Sequence, residues 1–452
     1  MTKRYSRIAI IGGGPVGLGV AKALGLEKFP QIDLFEKNSK FGGLWNYEGP
    51  TTTRPSIPSV HHSDPEFNND EKSPMYKYLE TNITKEIMQY KDFPFPEECE
   101  TFPTRQEVLQ YIQNYGETLS TDVNVLFNSN VLSVEKIDDV WKVEVTIDGG
   151  NIETREYDAV VLANGHYNQP YIPDVEGLKQ WNKLEAGSIT HAKYFNESLD
   201  FKDKTVLVIG NSASGLDIAL QLSTVAKKVY NSVRTPSPVA DIKIHGVEEI
   251  GEIVKYDYLN SKTVVTKDGA HYKDIDAVIF CTGYLYKFPF LKSYLSGDDA
   301  LLTNGERVRR LYKHLFYIPD PSLVCVGLPK SVIVMPFAEC QGAFIARVLS
   351  GRLRLPSEKE QREEELKEIE ARGEGKEFHN IKPPLDTAYC QELQKIIDDQ
   401  GLNEGFEADR WGDYRVGLRK ESGPAKARRY EQIVEHANSL RENNEPYRLL
   451  RG

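Results

Sequence analysis

No window of the 452-residue chain holds the roughly 18 consecutive apolar residues that a membrane span needs, and the stretch from Glu435 to Gly452 is strongly polar. No long apolar region with a small-residue cleavage site precedes the first strand-like run, Ile8 to Ile11, so no secretory leader is read. Cysteine is sparse. Cys99, Cys281, Cys325, Cys340 and Cys390 are odd in number and widely scattered, which excludes a disulfide framework and a thiolate metal site. Positive charge is in deficit as well: a formal net charge of −11 removes any general attraction to nucleic acid or to an anionic membrane. These absences lead to the expectation of a cytoplasmic protein in reducing surroundings, with neither a membrane nor a nucleic acid as partner.

The chain is longer than the roughly 250–300 residues at which single cores stop growing, so two or more domains are expected. With 40% hydrophobic residues there is enough apolar side chain to fill them. Residues 6–36 read as a βαβ unit: a strand from Arg7 to Ile11, a glycine turn, a helix over Val20 to Leu26 and a strand from Ile32 to Phe35. Thr51 to Pro74 is aperiodic and reads as a surface excursion. A helix is predicted over Arg105–Tyr115, an antiparallel meander over Asn124–Tyr157, and buried strands at Ala159–Ala163, Ala277–Cys281 and Leu323–Leu328, the last returning to the first fold. Beyond Pro356 the composition turns to Glu, Lys and Arg, with helices predicted near 363–372, 389–399 and 425–440.

The turn of the first unit is Gly12, Gly13, Gly14, Pro15, Val16, Gly17, a complete GxGxxG between strand and helix, with Glu36 ending the next strand. Gly12 permits the tight turn, Gly14 admits a pyrophosphate to the backbone, and Gly17 allows close helix packing. The helix N-terminus adds partial positive charge, and an acid in the place of Glu36 accepts hydrogen bonds from a ribose diol. A second unit over Lys204–Asp217 repeats the pattern as Gly210, Asn211, Ser212, Ala213, Ser214, Gly215. Ser212 replaces the middle glycine and brings a hydroxyl donor. Arg234 ends the following strand-like run, where an acid suits a free ribose hydroxyl and arginine suits a 2′-phosphate. Two such folds in one chain point to a bound redox cofactor and a diffusible one. Phe41 to Trp45 lacks the cysteine pair that a disulfide reductase of this architecture needs.

The chain resembles the flavin-containing monooxygenases, a family of class B flavoprotein monooxygenases. The strings that carry the likeness are Glu36-Lys37 with Gly42-Gly43-Leu44-Trp45, Thr81-Asn82-Ile83-Thr84-Lys85-Glu86-Ile87-Met88, Asp92-Phe93-Pro94-Phe95-Pro96, Asn164-Gly165-His166-Tyr167 and Cys281-Thr282-Gly283-Tyr284. They extend from about residue 6 to about residue 356. The family pattern FxGxxxHxxx(Y/F) stands as Gly187, His191 and Phe195, with Glu185 in place of the leading phenylalanine. Phe195-Asn196 occupies the position where the related Baeyer–Villiger enzymes carry tryptophan and then Pro or Asp, and the short connection from Arg234 to Val264 is similar to the shorter soluble fungal members.

The resemblance implies an α/β fold of two Rossmann-like domains, with an NADPH domain inserted into an FAD domain. The expected divisions are residues 1–170 and 291–356 for FAD, 171–290 for NADPH, and a helical layer over 357–452 packed on the FAD domain. It implies that NADPH reduces FAD, that oxygen adds at flavin C4a, and that the resulting hydroperoxide oxygenates amines, sulfides or thiols, N,N-dimethylaniline among them. On the FAD side it places Lys37, Gly43, Leu44, Trp45, Thr81, Asn82 and Gln341 beside the first glycine loop and Glu36. On the NADP side it places Gly210, Ser212, Ala213, Ser214, Gly215, Asp217 and Arg234. Asn82 is expected near the reactive edge of the flavin, the alternative being a helix-capping role. Gln341 is expected beside the flavin ring or, alternatively, as a polar residue at a helix start. His191 is expected to be structural, Cys281 to be inert packing, and His61 and His62 to lack metal partners. The open alternatives for the whole protein are an NADPH oxidase that releases hydrogen peroxide, a Baeyer–Villiger enzyme, and a non-catalytic nucleotide-binding regulator. A homodimer is one option for the assembly.

Overall fold

A computed structural model describes residues 4–61, 72–236 and 242–451. His62 and part of the Thr51–Pro74 excursion lie outside the described residues. The chain divides into two compact units: Met1–Trp45, Thr84–His166 and Tyr286–Glu421 form one, and Asn46–Ile83, Tyr167–Leu285 and Ser422–Gly452 the other.

In the first unit the strand Arg7–Ile11 (β1) leads through the glycine turn into the helix Pro15–Leu24 (α1), and Gln31–Phe35 (β2) returns parallel to β1. The helix starts at Pro15 and not at Val20, because proline's fixed φ suits a first helical residue and its missing N–H is unneeded there. Val123–Leu126 (β3) continues the sheet parallel to β2. The meander is therefore shorter than expected, consisting of Ser129–Ile137 (β4), Val140–Ile147 (β5) and Ile152–Tyr157 (β6). Ala159–Leu162 (β7) lies on the other side of β1, and Leu323–Cys325 (β20) pairs parallel to β7 as expected. The short strands Leu311–Tyr312 (β18) and Phe316–Tyr317 (β19) complete the order β18-β19-β20-β7-β1-β2-β3.

Around this sheet stand the short helix Lys85–Met88 (α2), Arg105–Gly116 (α3), Val334–Leu349 (α6), Glu358–Arg372 (α7) and Leu385–Asp399 (α8). A capping box between Thr104 and Glu107 starts α3. The helix α6 packs along α1 so closely that a Cβ on Gly19 would come within 3.1 Å of the Ala338 Cβ.

The second unit repeats the core of the first. Thr205–Ile209 (β10) leads through Gly210–Ser212 into Ala213–Ser223 (α5), Lys228–Ser232 (β11) runs parallel on one side of β10, and Ala277–Phe280 (β16) on the other. Val247–Ile250 (β12) and Ile189–His191 (β9) extend the parallel sheet to β12-β11-β10-β16-β9. Near-continuous apolar runs such as Val206–Val208 and Ala277–Phe280 are what a sheet covered on both faces requires. The same unit holds the pair Gln169–Pro170 (β8) and Tyr284–Leu285 (β17), the helix Leu178–Leu184 (α4), and the antiparallel strands Ile253–Asp257 (β13), Thr263–Thr266 (β14) and His271–Tyr272 (β15).

The C-terminal region is not one layer on one fold. The helix Asp413–Glu442 (α9) leaves the first unit at Glu421, and Ile433, Val434, Ala437 and Leu440 bury against Leu220 of α5 and Tyr447. The charged composition beyond Pro356 conceals this apolar face. Residues 46–83 likewise group with the second unit, where Tyr76 packs with Phe195, Val206 and Ile218. All five cysteines are buried and free. Among the described residues no helix is long and apolar enough to cross a membrane, and no His, Cys, Asp and Glu group is arranged to hold a metal ion.

Candidate functional site

The first glycine loop is built by close approach. Gly12 has φ +113°, and a Cβ there would meet the Ala163 carbonyl oxygen at 2.5 Å, so only glycine serves. A Cβ on Gly17 would lie 1.9 Å from the Gly12 oxygen, the close helix-to-strand contact that the motif demands. Gly14 is the N-cap of α1 and offers no capping side chain, and it touches Gly43 directly: a Cβ on Gly43 would stand 2.9 Å from the Gly14 Cα. Gly43, Leu44 and Trp45 form a 3-10 turn here. Val16 and Pro15 are held from behind, Pro15 through its carbonyl, which accepts the Tyr90 hydroxyl at 2.7 Å, and Val16 through its packing under Gly327.

Glu36 is buried beside this loop. Its Oε2 accepts the Gly13 N–H at 2.8 Å, and its Oε1 accepts the Asn38 N–H and side-chain amide, each at 2.8 Å. Burial raises its pKa, against which these hydrogen bonds work. A carboxylate has about four acceptor positions and three are occupied, which leaves room for one further donor such as a ribose hydroxyl. An exposed Lys37 follows. Sequence reasoning did not single out Asn38; the signal is an amide two residues after the acid that ends β2. An uncapped helix start, two glycine backbones in contact and an acceptor with one open position fit a dinucleotide.

The second loop repeats the geometry. Gly210 has φ +108°, a Cβ on it would meet the Cys281 oxygen at 2.8 Å, and one on Gly215 would lie 2.0 Å from the Gly210 oxygen. Ser212 is the N-cap of α5, yet its hydroxyl caps nothing, and Ser212, Ala213 and Ser214 are all exposed. The Asn211 amide donates to the Thr235 oxygen at 2.9 Å and ties this loop to the segment that follows β11. Arg234 stands in that segment with its side chain 78% exposed and only a 3.8 Å approach to Glu252, a weak surface pair that leaves the guanidinium available. An exposed helix start beside an uncommitted arginine fits a nucleotide bearing an extra phosphate.

Two expected site residues are engaged elsewhere. Asp217 accepts the hydroxyl of Tyr76 and the Gln221 amide, the latter at 3.1 Å; burial pushes its pKa up to about 6, with both hydrogen bonds opposing the shift. Gln341 is not at a helix start. It sits inside α6, fully buried, where its Oε1 accepts the Gly327 N–H at 2.9 Å and its amide donates to the Tyr389 hydroxyl at 3.1 Å. Its polar atoms hold the loop over Val16, a task invisible without the tertiary fold.

Thr81 donates to the Ile83 oxygen at 2.8 Å. Asn82 is exposed and its side chain makes no hydrogen bond among the described residues, while the N-cap of α2 is Thr84, so Asn82 does not cap that helix. His191 is fully buried: Nδ1 accepts the Lys193 N–H at 3.1 Å and Nε2 lies 3.0 Å from the Gly283 oxygen. Burial depresses its pKa to about 3, which suits a neutral structural ring and not a base. Glu185, in place of the motif's phenylalanine, pairs with Lys262 at 2.8 Å.

The family model described as "Flavin-binding monooxygenase-like" matches residues 5–250 and 242–430. The chain belongs to this family. As a flavin-binding monooxygenase it uses FAD and NADPH. It is 32% identical over 459 residues to the thiol-specific monooxygenase of Saccharomyces cerevisiae, covering 98% of this chain and 97% of that one. It is 34% identical over 373 residues to the flavin-containing monooxygenase FMO GS-OX3 of Arabidopsis thaliana, covering 77% and 75%. Among solved structures, the S-allyl-L-cysteine S-oxygenase of Allium sativum superposes with a TM-score of 0.76 at 29% identity, covering 98% of this chain and 99% of that one.

Proposed function

We propose that this monooxygenase oxygenates soft nucleophiles, with low-molecular-mass thiols and thioethers as its preferred class and tertiary amines such as N,N-dimethylaniline also accepted. The observation that carries the sulfur preference is the correspondence, over nearly the whole length of both chains, to a thiol-specific monooxygenase. When bound, the flavin supplies the redox chemistry, taking a hydride from NADPH and activating dioxygen so that one oxygen atom reaches the substrate and the other leaves as water.

What the chain supplies is placement. The first glycine loop, Glu36, Lys37 and the Gly43–Trp45 turn would hold the FAD pyrophosphate and ribose, and Gln341 supports that loop through Gly327, which packs on Val16. The second loop, from Gly210 to Gly215, holds the nicotinamide nucleotide, with Arg234 on its 2′-phosphate. In this reading the second compact unit is the NADPH domain, inserted into an FAD domain. Thr81 would belong to the FAD side, and Asn82 would lie near the reactive edge of the flavin, where a neutral amide donates and accepts without delivering the proton that would expel peroxide. A reducing cytoplasmic setting accords with five free, buried thiols.

The test measures NADPH consumed, product formed and hydrogen peroxide released with FAD-replete protein and thiols, thioethers, N,N-dimethylaniline and simple ketones. Product matching NADPH with the sulfur compounds, and none from ketones, is expected. Peroxide equal to NADPH with every compound would refute the reading in favour of an oxidase.

A further inference from the structure

The segment that carries Asn82 is fastened almost residue by residue within the second unit. The Tyr76 hydroxyl donates to Asp217, and its ring meets Phe195 edge-on at 5.4 Å. The Lys77 N–H donates to the Asn196 oxygen at 3.0 Å, and its ammonium pairs with Glu197 at 2.9 Å. The Tyr78 oxygen accepts the Gln221 amide at 3.1 Å, and the Tyr78 ring meets Tyr447 at 6.1 Å. The final fastening before Asn82 is Glu80. Its two carboxylate oxygens receive Nε and Nη2 of Arg429, each at 2.9 Å, and both side chains are only 10% exposed. Arg429 Nη2 also donates to the Leu450 oxygen at 2.7 Å, joining α9 and the C-terminal segment at one guanidinium.

A two-point pair of planar groups removed from water differs from a surface ion pair. Its geometry is fixed in distance and angle, and loss of one partner leaves the other charge buried. The chemistry attributed to Asn82 depends on ångström-level placement, and a shift of about 1 Å from a distant change can cost about a hundredfold in rate.

We propose that the Arg429–Glu80 pair is a positioning element of the oxygenation: it holds Asn82 in place and thereby sets how much of the NADPH consumed ends in product and how much in hydrogen peroxide. The inference rests on the reading of Asn82 given above. In the productive reaction NADPH, a proton, dioxygen and the nucleophile give NADP+, the oxygenated nucleophile and water. In the failed one NADPH, a proton and dioxygen give NADP+ and hydrogen peroxide.

The test compares Glu80→Gln, Arg429→Lys, Asn82→Ser and Arg441→Gln with the unaltered holoenzyme, reading flavin content, the KM for NADPH, Tm, and product and peroxide per NADPH. Arg441 fastens α9 to the Ala226 oxygen at 3.0 Å and does not touch residues 76–82, so its variant reports the effect of a loosened helix alone. Glu80→Gln is expected to keep its flavin and a KM within about twofold, while product per NADPH falls about three- to tenfold and peroxide rises to match. Arg429→Lys, which keeps the charge but loses the two-point geometry, falls between and serves if Glu80→Gln does not fold. Arg441→Gln is expected to lower Tm and leave the partition unchanged. Normal partition in Glu80→Gln and Arg429→Lys overturns the inference, and if Asn82→Ser still diverts NADPH to peroxide the reading of Asn82 survives. An equal loss in Arg441→Gln overturns it too, in favour of plain destabilisation. Normal partition in Asn82→Ser brings down both readings.

Discussion

The two glycine loops share a backbone and differ in nearly everything attached to it. Each follows the middle strand of a parallel trio, turns at a glycine of φ near +110°, and closes on a helix glycine whose Cβ would strike the first glycine's oxygen at about 2 Å. Along the shared backbone, Gly14 corresponds to Ser212 and Gly19 to Asp217; the strand register matches Phe35 to Ser232, so Glu36 falls at the position of Val233 and Arg234 one residue beyond it, at the position of Lys37. At the first loop Gly14, Glu36 and Gly19 are pressed together or buried, with Gly14 against Gly43, Glu36 at 3% exposure and Gly19 against Ala338. At the second, Ser212 and Arg234 face solvent. An enclosed, pre-bonded site suits a cofactor that stays, and an open one suits a cofactor that comes and goes each turnover.

The sharpest way to break the contrast is Gly14→Val. A branched side chain fills the space between Gly14 and Gly43, and the purified protein is expected to be colourless; a normal ratio of flavin to protein absorbance would remove this loop from flavin binding. Next in size is Arg234→Ala, expected to raise the KM for NADPH about ten- to a hundredfold, corresponding to about 1.5–3 kcal/mol, and to leave that for NADH unchanged. Equal losses for both cofactors would place Arg234 away from the 2′-phosphate.

Asp217 sharpens the comparison through pH. Its folded pKa of about 6 lies above the ordinary 3.8, so the folded chain holds the proton more tightly than the unfolded one. The stability so gained is complete below about pH 4 and is lost as pH rises through about 6. Asp217→Asn should therefore equal or trail the parent in urea at pH 4 and exceed it by about 1–2 kcal/mol at pH 7, once the amide's weaker hydrogen bonds are allowed for. A constant difference across that range would mean that the carboxylate ionises without penalty. The smallest effect belongs to Ser212→Gly, which makes the second loop resemble the first. It removes one hydroxyl from an exposed loop, and the KM for NADPH should rise by less than about threefold. A rise comparable to that of Arg234→Ala would make the serine a principal phosphate ligand.

The motifs legible in the sequence were those whose chemistry is local. The glycine turns, the helix over Arg105–Tyr115 and the buried runs at Ala159–Leu162, Ala277–Phe280 and Leu323–Cys325 all follow from short-range pattern. Where position depends on partners far along the chain, the pattern was silent. Val123–Leu126 alternates like a hairpin strand but pairs in parallel with β2. Asp217 sits one turn into α5, at the depth of a nucleotide contact, yet Tyr76, far earlier in the chain, occupies it. Gln341 is engaged by Gly327 and Tyr389 from two other segments. The apolar face of α9 is diluted in a charged stretch and shows itself only against Leu220 and Tyr447.

Every turnover that fails leaves an oxidant in the solution around the protein, and a monooxygenase proposed to act on sulfur itself contains sulfur. Thiols are attacked as thiolates at accessible positions. Here Cys99 is pushed up to about 11 by burial, and burial raises Cys281, Cys325 and Cys390 as well. Cys340 is buried alongside them, its thiol directed at the Asp409 oxygen. The five cysteines are buried, so an oxidant in the surrounding solution meets small accessible thiols before it meets those of this chain.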